Sequence, residues 1–226
     1  MLKLALIGKD IGHSRSQEMY EKLLKQKISY DLLDYPDENS IPPIIDLFKE
    51  GYKGISVTYP YKRTFLNQVK IESPIVGKVN AINCIGFFDG IVKATNTDFL
   101  AAQKLLQRFP NKLFVILGNG NMAKIFLTLF NELKIEFRHF YRAQDGDLNK
   151  VNFQTLKENF VLINCCSRKF IFEADLPRDT IFWDMNYSFE GHKTLKESKS
   201  IQYLDGLDLL LEQARFATYF WGLRIT

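Results

Sequence analysis

The chain is poor in the residues that build extracellular scaffolds and metal clusters. It has three cysteines in 226 residues, Cys84 and the adjacent pair Cys165-Cys166. An odd number with one vicinal pair is no disulfide framework, so a reducing cytoplasm is the expected compartment. It has three histidines, His13, His139 and His192, and no Cys-x-x-Cys, which leaves no metal-ligand spacing and no expected metal. Long apolar runs are also missing. Phe114 to Leu117 and Val161 to Ile163 fall far short of the roughly 18 residues a spanning helix needs, so no membrane role is expected. The Leu4 to Ile7 run is cut by Gly8-Lys9-Asp10, too short for the apolar region of a signal peptide. No self-similarity at 20–50 residues marks a repeat array.

What remains is a globular composition. Hydrophobic residues make up 46% and charged residues 25%, enough apolar side chain for a real core. Nineteen Phe and ten Tyr favour thick packing of helices on sheets over a coiled coil, and as a group they read as core more than as a binding platform. The charge of +4 comes from 30 basic and 26 acidic residues, scattered along the chain. That small excess suits an anionic small molecule and gives no stripe for nucleic acid.

The first half alternates strand and helix. Apolar strands are expected at Leu2–Ile7, Ser29–Tyr35 and Gly54–Thr58, with helices after Ser14-Arg15-Ser16 and after Pro42-Pro43. Ala81–Phe87 and Ile91–Thr95 flank Phe88-Asp89-Gly90, a hairpin signal that makes the first sheet mixed. A helix over Asp98–Phe109 bridges to a second unit, which opens as strand (Leu113–Leu117), glycine turn and helix through Leu133. Further strands are expected at Glu136–Tyr141, Phe160–Asn164 and Thr180–Asp184, and a last apolar helix at Leu207–Leu223. The fold class is therefore α/β in two lobes with a cleft between them. Residues 1–99 and 205–226 are expected to form a mixed-sheet lobe, and 100–204 a compact Rossmann-like one.

Gly118-Asn119-Gly120-Asn121-Met122-Ala123 meets the pattern Gly-x-Gly-x-x-Ala between an apolar strand and a helix. The glycines allow a tight turn and close approach of backbone to a pyrophosphate, which then sits at the amino end of a helix. The same residues also serve an ordinary glycine turn. An acidic residue about 20 positions on would grip the ribose hydroxyl of NAD. None stands in Arg138-His139-Phe140-Tyr141-Arg142, and Arg142 suits the extra phosphate of NADP, unless it is a solvated loop arginine.

Ser14 and Ser16 stand before a helix, where hydroxyls and free N–H groups can hold a carboxylate or simply cap the helix. Thr58 and Lys62 flank Pro60 at a strand end, the place where open α/β sheets take ligands. Neither pair identifies a site alone. The three thiols read as packing residues, since no histidine adjoins them in the chain to activate a thiolate.

Taken together, seven ordered blocks resemble the shikimate dehydrogenases over nearly the whole chain. They are Gly12-His13-Ser14-Arg15-Ser16, Gly54 to Lys62 (GISVTYPYK), Ala81-Ile82-Asn83, Asn96-Thr97-Asp98, the 118–123 turn, Asp184-Met185-Asn186-Tyr187, and Gly206 to Ala214 (GLDLLLEQA). The resemblance implies an NADP-dependent enzyme that interconverts 3-dehydroshikimate and shikimate on the route to chorismate and aromatic amino acids. It implies Lys62 and Asp98 as the catalytic pair and Ser14 and Ser16 on the substrate carboxylate. Thr58, Asn83 and Gln213 would meet the hydroxyls, with Tyr187 near nicotinamide and substrate. NADP would contact Gly118, Asn119, Gly120, Asn121, Met122, Ala123, Arg142 and Gly206. The partner is thus a small-molecule substrate, with no nucleic acid and no membrane, and the protein a monomer or homodimer. The rival readings are a quinate/shikimate dehydrogenase using NAD and a nonenzymatic relative that binds nucleotide or shikimate.

The sequence departs from the family pattern at several places. Ser56 replaces the usual Asn, Phe99 a Gly, and Asn121 a third Gly of the turn. Tyr141-Arg142-Ala143 stands for Asn-Arg-Thr, and Asn164-Cys165-Cys166-Ser167 stands where Asn-Ala-Thr is usual.

Overall fold

The computed structural model describes residues 1–71, 73–156, 159–187 and 189–225. The chain divides into two units, Met1–Ala101 with Leu210–Thr226, and Ala102–Leu209.

Unit one holds β1 (Lys3–Gly8), α1 (Ser16–Leu24), β2 (Ser29–Asp34), α2 (Ile44–Lys49), β3 (Gly54–Val57), β4 (Lys70–Ile71), α3 (Pro74–Val79), β5 (Cys84–Phe88) and β6 (Ile91–Thr95). α4 (Thr97–Leu106) begins in it. Its six strands run in the order β2-β1-β3-β5-β6-β4. β5 is antiparallel to β3 and β6, and the other pairings are parallel. The mixed sheet follows from the hairpin: Phe88 pairs with Ile91 across Asp89-Gly90.

β1 and β3 are buried on both faces, which is why they read as continuous apolar runs. One face packs Ala5, Ile7, Ile55, Val57 and Ile85 against Ile44, Leu47 and Phe48 of α2. The other packs Leu4 and Cys84 against Met19, Tyr20 and Leu23 of α1 and against Ala214, Ala217 and Trp221 at the end of the chain.

Unit two is an open sheet of five parallel strands: β7 (Leu113–Leu117), β8 (Phe137–Phe140), β9 (Phe160–Asn164), β10 (Thr180–Asp184) and β11 (Ile201–Leu204). Between them lie α5 (Asn121–Leu133), α6 (Arg142–Asp145) and α7 (Lys193–Glu197); α8 (Leu207–Phe220) starts at the end of unit two and from Leu210 on belongs to unit one. The order is β8-β7-β9-β10-β11. Numbered within the unit this is 2-1-3-4-5, a doubly wound order whose reversal point lies between β7 and β9. Phenylalanines supply the core, as expected from their abundance: Phe153, Phe160, Phe172 and Phe182 form one cluster, and Phe126 stands edge-on to Trp183.

Several boundaries differ from the sequence pattern. The expected strand over 81–87 starts only at Cys84, because Ala81-Ile82-Asn83 is spent on side-chain and loop hydrogen bonds. α4 stops at Leu106 and α8 at Phe220. β4, β11, α3, α6 and α7 carry no expectation from sequence. No helix is long and apolar enough to cross a membrane among the described residues.

Candidate active site

In unit one the polar residues gather where β3 ends and α4 begins. Lys62 and Asp98 form an ion pair, Nζ to Oδ2 2.6 Å, with side chains only 13% and 12% exposed. Asp98 sits in the first turn of α4, where helix N–H groups favour an anion. Asn96 is fully buried and satisfied: its Oδ1 accepts the Phe99 N–H at 3.0 Å, and its Nδ2 donates to Ala81 O at 2.9 Å. That cap fixes the helix start and with it the aspartate. Lys62 is fixed from its other side, since its carbonyl accepts the Ile82 N–H at 2.8 Å.

Asn83 and Gln213 converge on one residue absent from the sequence-based site, Thr97. Asn83 Oδ1 accepts the Thr97 N–H at 2.7 Å, and Thr97 Oγ1 lies 3.1 Å from Asn83 Oδ1 and 3.2 Å from Gln213 Oε1. Gln213 Nε2 donates to Leu210 O. Ser14 and Ser16 meet each other: Ser14 Oγ is 3.2 Å from Ser16 Oγ and accepts the Ser16 N–H. Neither caps α1, whose cap position is Arg15 with no side-chain cap bond. Thr58 follows β3, its N–H donating to Ile7 O. Ser56, in place of the usual Asn, turns into the interior and shares a 3.0 Å hydrogen bond with the Tyr20 hydroxyl. Burial, with the neighbouring Tyr30, pushes the Tyr20 phenol well above its ordinary range. Phe99 is buried, only 2% exposed.

In unit two the glycine turn lies at the reversal point. Gly118 has φ +93°, and an added Cβ would come within 3.1 Å of the Cys165 carbonyl carbon and the Cys166 nitrogen. Its N–H donates to Phe140 O, and its carbonyl is 2.8 Å from His139 Nε2. Gly120 stands at the cap of α5 without a side-chain cap bond, and the first turn of that helix carries no acidic residue. The helix thus presents N–H donors and uncancelled positive dipole. Asn119 and Asn121 are exposed, Met122 half-buried, and Ala123 buried as a small residue where helix meets sheet.

Arg142 is exposed at the first position of α6. Its charge reaches Cys166, where it draws the thiol down. Burial, followed by Asp184, prevails and pushes that thiol up to about 11. Burial likewise raises Cys84 and Cys165, which fits packing residues and not activated nucleophiles.

Tyr187 and Gly206 adjoin a network that the sequence does not reveal. The Gly206 N–H donates to Asn186 O, and an added Cβ there would lie 2.5 Å from Met185 O. Asn186 in turn donates through Nδ2 to the fully buried Asp184, which also binds Asn164, His192 and Tyr203. The available signal is positional: Asn164 and Asp184 are polar residues ending otherwise apolar parallel strands, where a buried side chain needs partners.

These elements define a class: an α/β protein with a buried Lys–Asp pair on a mixed sheet and a glycine turn at the reversal point of a Rossmann-like parallel sheet. Comparison with known proteins agrees. Residues 6–85 match the family model described as shikimate dehydrogenase substrate binding domain. The shikimate dehydrogenase (NADP(+)) of Clostridium botulinum strain Hall is 26% identical, over 99% of this chain and 97% of its own length. That of Clostridium perfringens strain SM101 is also 26% identical, over 100% and 94%. The solved shikimate 5-dehydrogenase of Thermus thermophilus in complex with shikimate superposes with a TM-score of 0.80 at 21% identity, covering 100% of this chain and 95% of the other. The same enzyme in complex with NADP(H) and shikimate gives 0.78 at 22% identity, with coverages of 100% and 95%. Residues 6–85 thus carry the match to that family's substrate-binding domain, and the likeness to its NADP(+)-dependent members runs along nearly the whole chain.

Proposed function

We propose that this chain is an NADP-dependent shikimate dehydrogenase, reducing the ketone of 3-dehydroshikimate to the alcohol of shikimate and running in reverse. The observation that carries the reading is the Lys62–Asp98 pair at 2.6 Å, almost withdrawn from water, in the unit whose residues 6–85 match the family's substrate-binding model.

The residues present fit the cofactor. A turn held at a φ of +93° by Gly118, a 13-residue helix with amino-terminal N–H groups, and the cation of Arg142 make a cradle for a pyrophosphate and an added phosphate. When bound, NADPH supplies the hydride. This chain supplies everything else. Lys62 directs its ammonium at the substrate's carbonyl oxygen, where it stabilises the growing negative charge and delivers the proton. Asp98 orients that ammonium through Oδ2 and leaves Oδ1 to accept from the neighbouring hydroxyl.

Ser14 and Ser16 donate to the carboxylate from the start of α1, and Thr58 meets a ring hydroxyl. With Asn83 Oδ1 engaged by Thr97, the Nδ2 protons of Asn83 are available to donate, as is the second Nε2 proton of Gln213. Such a set matches a polyol, because each hydroxyl taken from water must find a partner. Tyr187 stands near the reacting carbon, and Arg142 selects NADP over NAD.

The test is spectrophotometric: shikimate plus NADP, followed at the absorbance of the reduced nicotinamide. Steady reduction of NADP with shikimate, and much slower reduction with quinate or with NAD, is the expected result. Faster turnover with quinate and NAD would favour the rival enzyme. Tight shikimate binding without turnover would leave a binding protein.

A further inference from the structure

We propose that His192 is a positioning residue: a neutral imidazole protonated on Nδ1, it holds the buried carboxylate of Asp184, which in turn splints the backbone of Met185-Asn186-Tyr187. The inference rests on the reading above in one respect, that Tyr187 stands at the reacting centre.

Asp184 ends β10 with no exposed surface. A carboxylate buried there needs several donors to stay charged, and it has five. Oδ1 accepts from Asn164 Nδ2 at 3.1 Å, the Asn186 N–H at 3.0 Å and Asn186 Nδ2 at 2.9 Å. Oδ2 accepts from His192 Nδ1 at 2.6 Å and the Tyr203 hydroxyl at 2.8 Å. Burial opposes the charge, but the hydrogen bonds from His192, Asn186 and Tyr203 outweigh it and hold the carboxyl below its ordinary value.

The shortest of the five bonds depends on the tautomer of His192. The Phe172 N–H lies 2.9 Å from His192 Nε2 and can only donate, so Nε2 must carry a lone pair. The proton is therefore on Nδ1, aimed at Asp184. An imidazolium would set two N–H groups against each other at Nε2. The ring is wedged edge-to-face between Phe182 and Phe189, at centroid distances of 5.5 and 4.8 Å, and only 1% of the residue is exposed.

What Asp184 holds is the segment that leads to Tyr187. Met185 N–H donates to Asn164 O, Asn186 Nδ2 to Cys166 O, Gly206 N–H to Asn186 O, and Arg168 Nη1 to Tyr187 O. Cys166 N–H closes the ring on Asn164 Oδ1, next to the backbone at Gly118. The splint therefore joins the ends of β9 and β10 to the glycine turn. His192 anchors it from the far side, through Phe172.

The substrate-holding residues Ser14, Thr58 and Asn83 belong to the other unit, so loosening the splint should slow the reaction more than it weakens shikimate binding. A reacting group misplaced by an ångström costs on the order of 100-fold in rate. His192→Ala is expected to lower kcat about 10- to 100-fold with the KM for shikimate changed less than about threefold. His192→Asn places an amide donor where Nδ1 stood and should restore most of kcat, whereas His192→Gln, whose donor stands where Nε2 did, should not. Equal activity of the Asn and Gln variants, or a loss confined to KM, overturns the proposal.

A second readout is independent of turnover. Nitrogen chemical shifts of the His192 ring should show a protonated Nδ1 and a bare Nε2, and exchange of the Asn186 amide should quicken in His192→Ala and recover in His192→Asn. The opposite tautomer, or unchanged exchange in His192→Ala, overturns the splint even if the wild type oxidises shikimate. A wild type that fails to oxidise shikimate but shows this tautomer and exchange pattern overturns the activity and leaves the splint standing.

Discussion

Lys62 and Asp98, 36 residues apart in sequence, meet at 2.6 Å with both side chains almost withdrawn from water. A pair so placed is costly to bury, and removing one member leaves the other uncompensated. Its position, at the end of β3 and the first turn of α4, is where an open α/β sheet takes its ligand. Lys62→Ala is expected to lower turnover with shikimate by roughly 10²–10⁴, the range for losing a positioned acid or base. Asp98→Asn should lower it by a similar factor, because the ammonium loses its orienting charge. Steady-state rates of both variants, with circular dichroism to confirm the fold, check this. Turnover of Lys62→Ala near that of the wild type removes the lysine from the mechanism.

Arg142 stands exposed at the start of α6, close enough to Cys166 for its charge to be felt there. A guanidinium meets a phosphate bidentately and gains nothing from a ribose hydroxyl of comparable strength. Arg142→Ala should therefore raise the KM for NADP about tenfold or more, with the KM for NAD little altered. Measuring both constants at saturating shikimate decides it. Equal changes would move the phosphate anchor elsewhere.

The strands are legible where burial on both faces writes an uninterrupted apolar run, as in β1, β7 and β9, and the hairpin where Asp89-Gly90 sits between two such runs. β4 has two residues and α6 four, too short for any periodicity to emerge. Lys62 and Asp98 are named through resemblance; neither residue's own spacing announces an ion pair. Resemblance marks Asp184 to Tyr187 as a block but not the network around Asp184. Its five hydrogen bonds come from Asn164, Asn186, His192 and Tyr203, on different elements, and only folding brings them to one carboxylate.

Gly118 tests the nucleotide cradle separately. Its φ of +93° strains any L-side chain, and a Cβ would press on the Cys165–Cys166 backbone at 3.1 Å. Gly118→Ala is expected to destabilise the protein by about 1–3 kcal/mol, the usual cost of such a conformation. It should also weaken NADP binding while leaving shikimate binding intact, because Ser14, Thr58 and Asn83 lie in the other unit. Urea unfolding and calorimetric titration with each ligand measure the two effects. A parallel loss of both affinities would show that the damage is general.

The buried carboxylate of Asp184 contributes to the response to acid. Its folded pKa lies below the ordinary aspartate value of 3.8, so the folded state holds the carboxylate charged more firmly than the unfolded chain does. A depressed carboxyl contributes stability that is fully present above the unfolded pKa and is lost as pH falls through the folded one. At neutral pH the contribution is complete, and it declines below about pH 4. Asp184→Asn cannot accept all five hydrogen bonds, and each buried donor left without a partner costs about 1–3 kcal/mol. The variant should thus be less stable at pH 7, and its stability should fall less steeply than the wild type's below about pH 4. Denaturant midpoints across that range provide the comparison. Parallel curves for the two proteins would mean that Asp184 does not titrate out of the fold with acid, and the network would then owe its strength to something other than the charge.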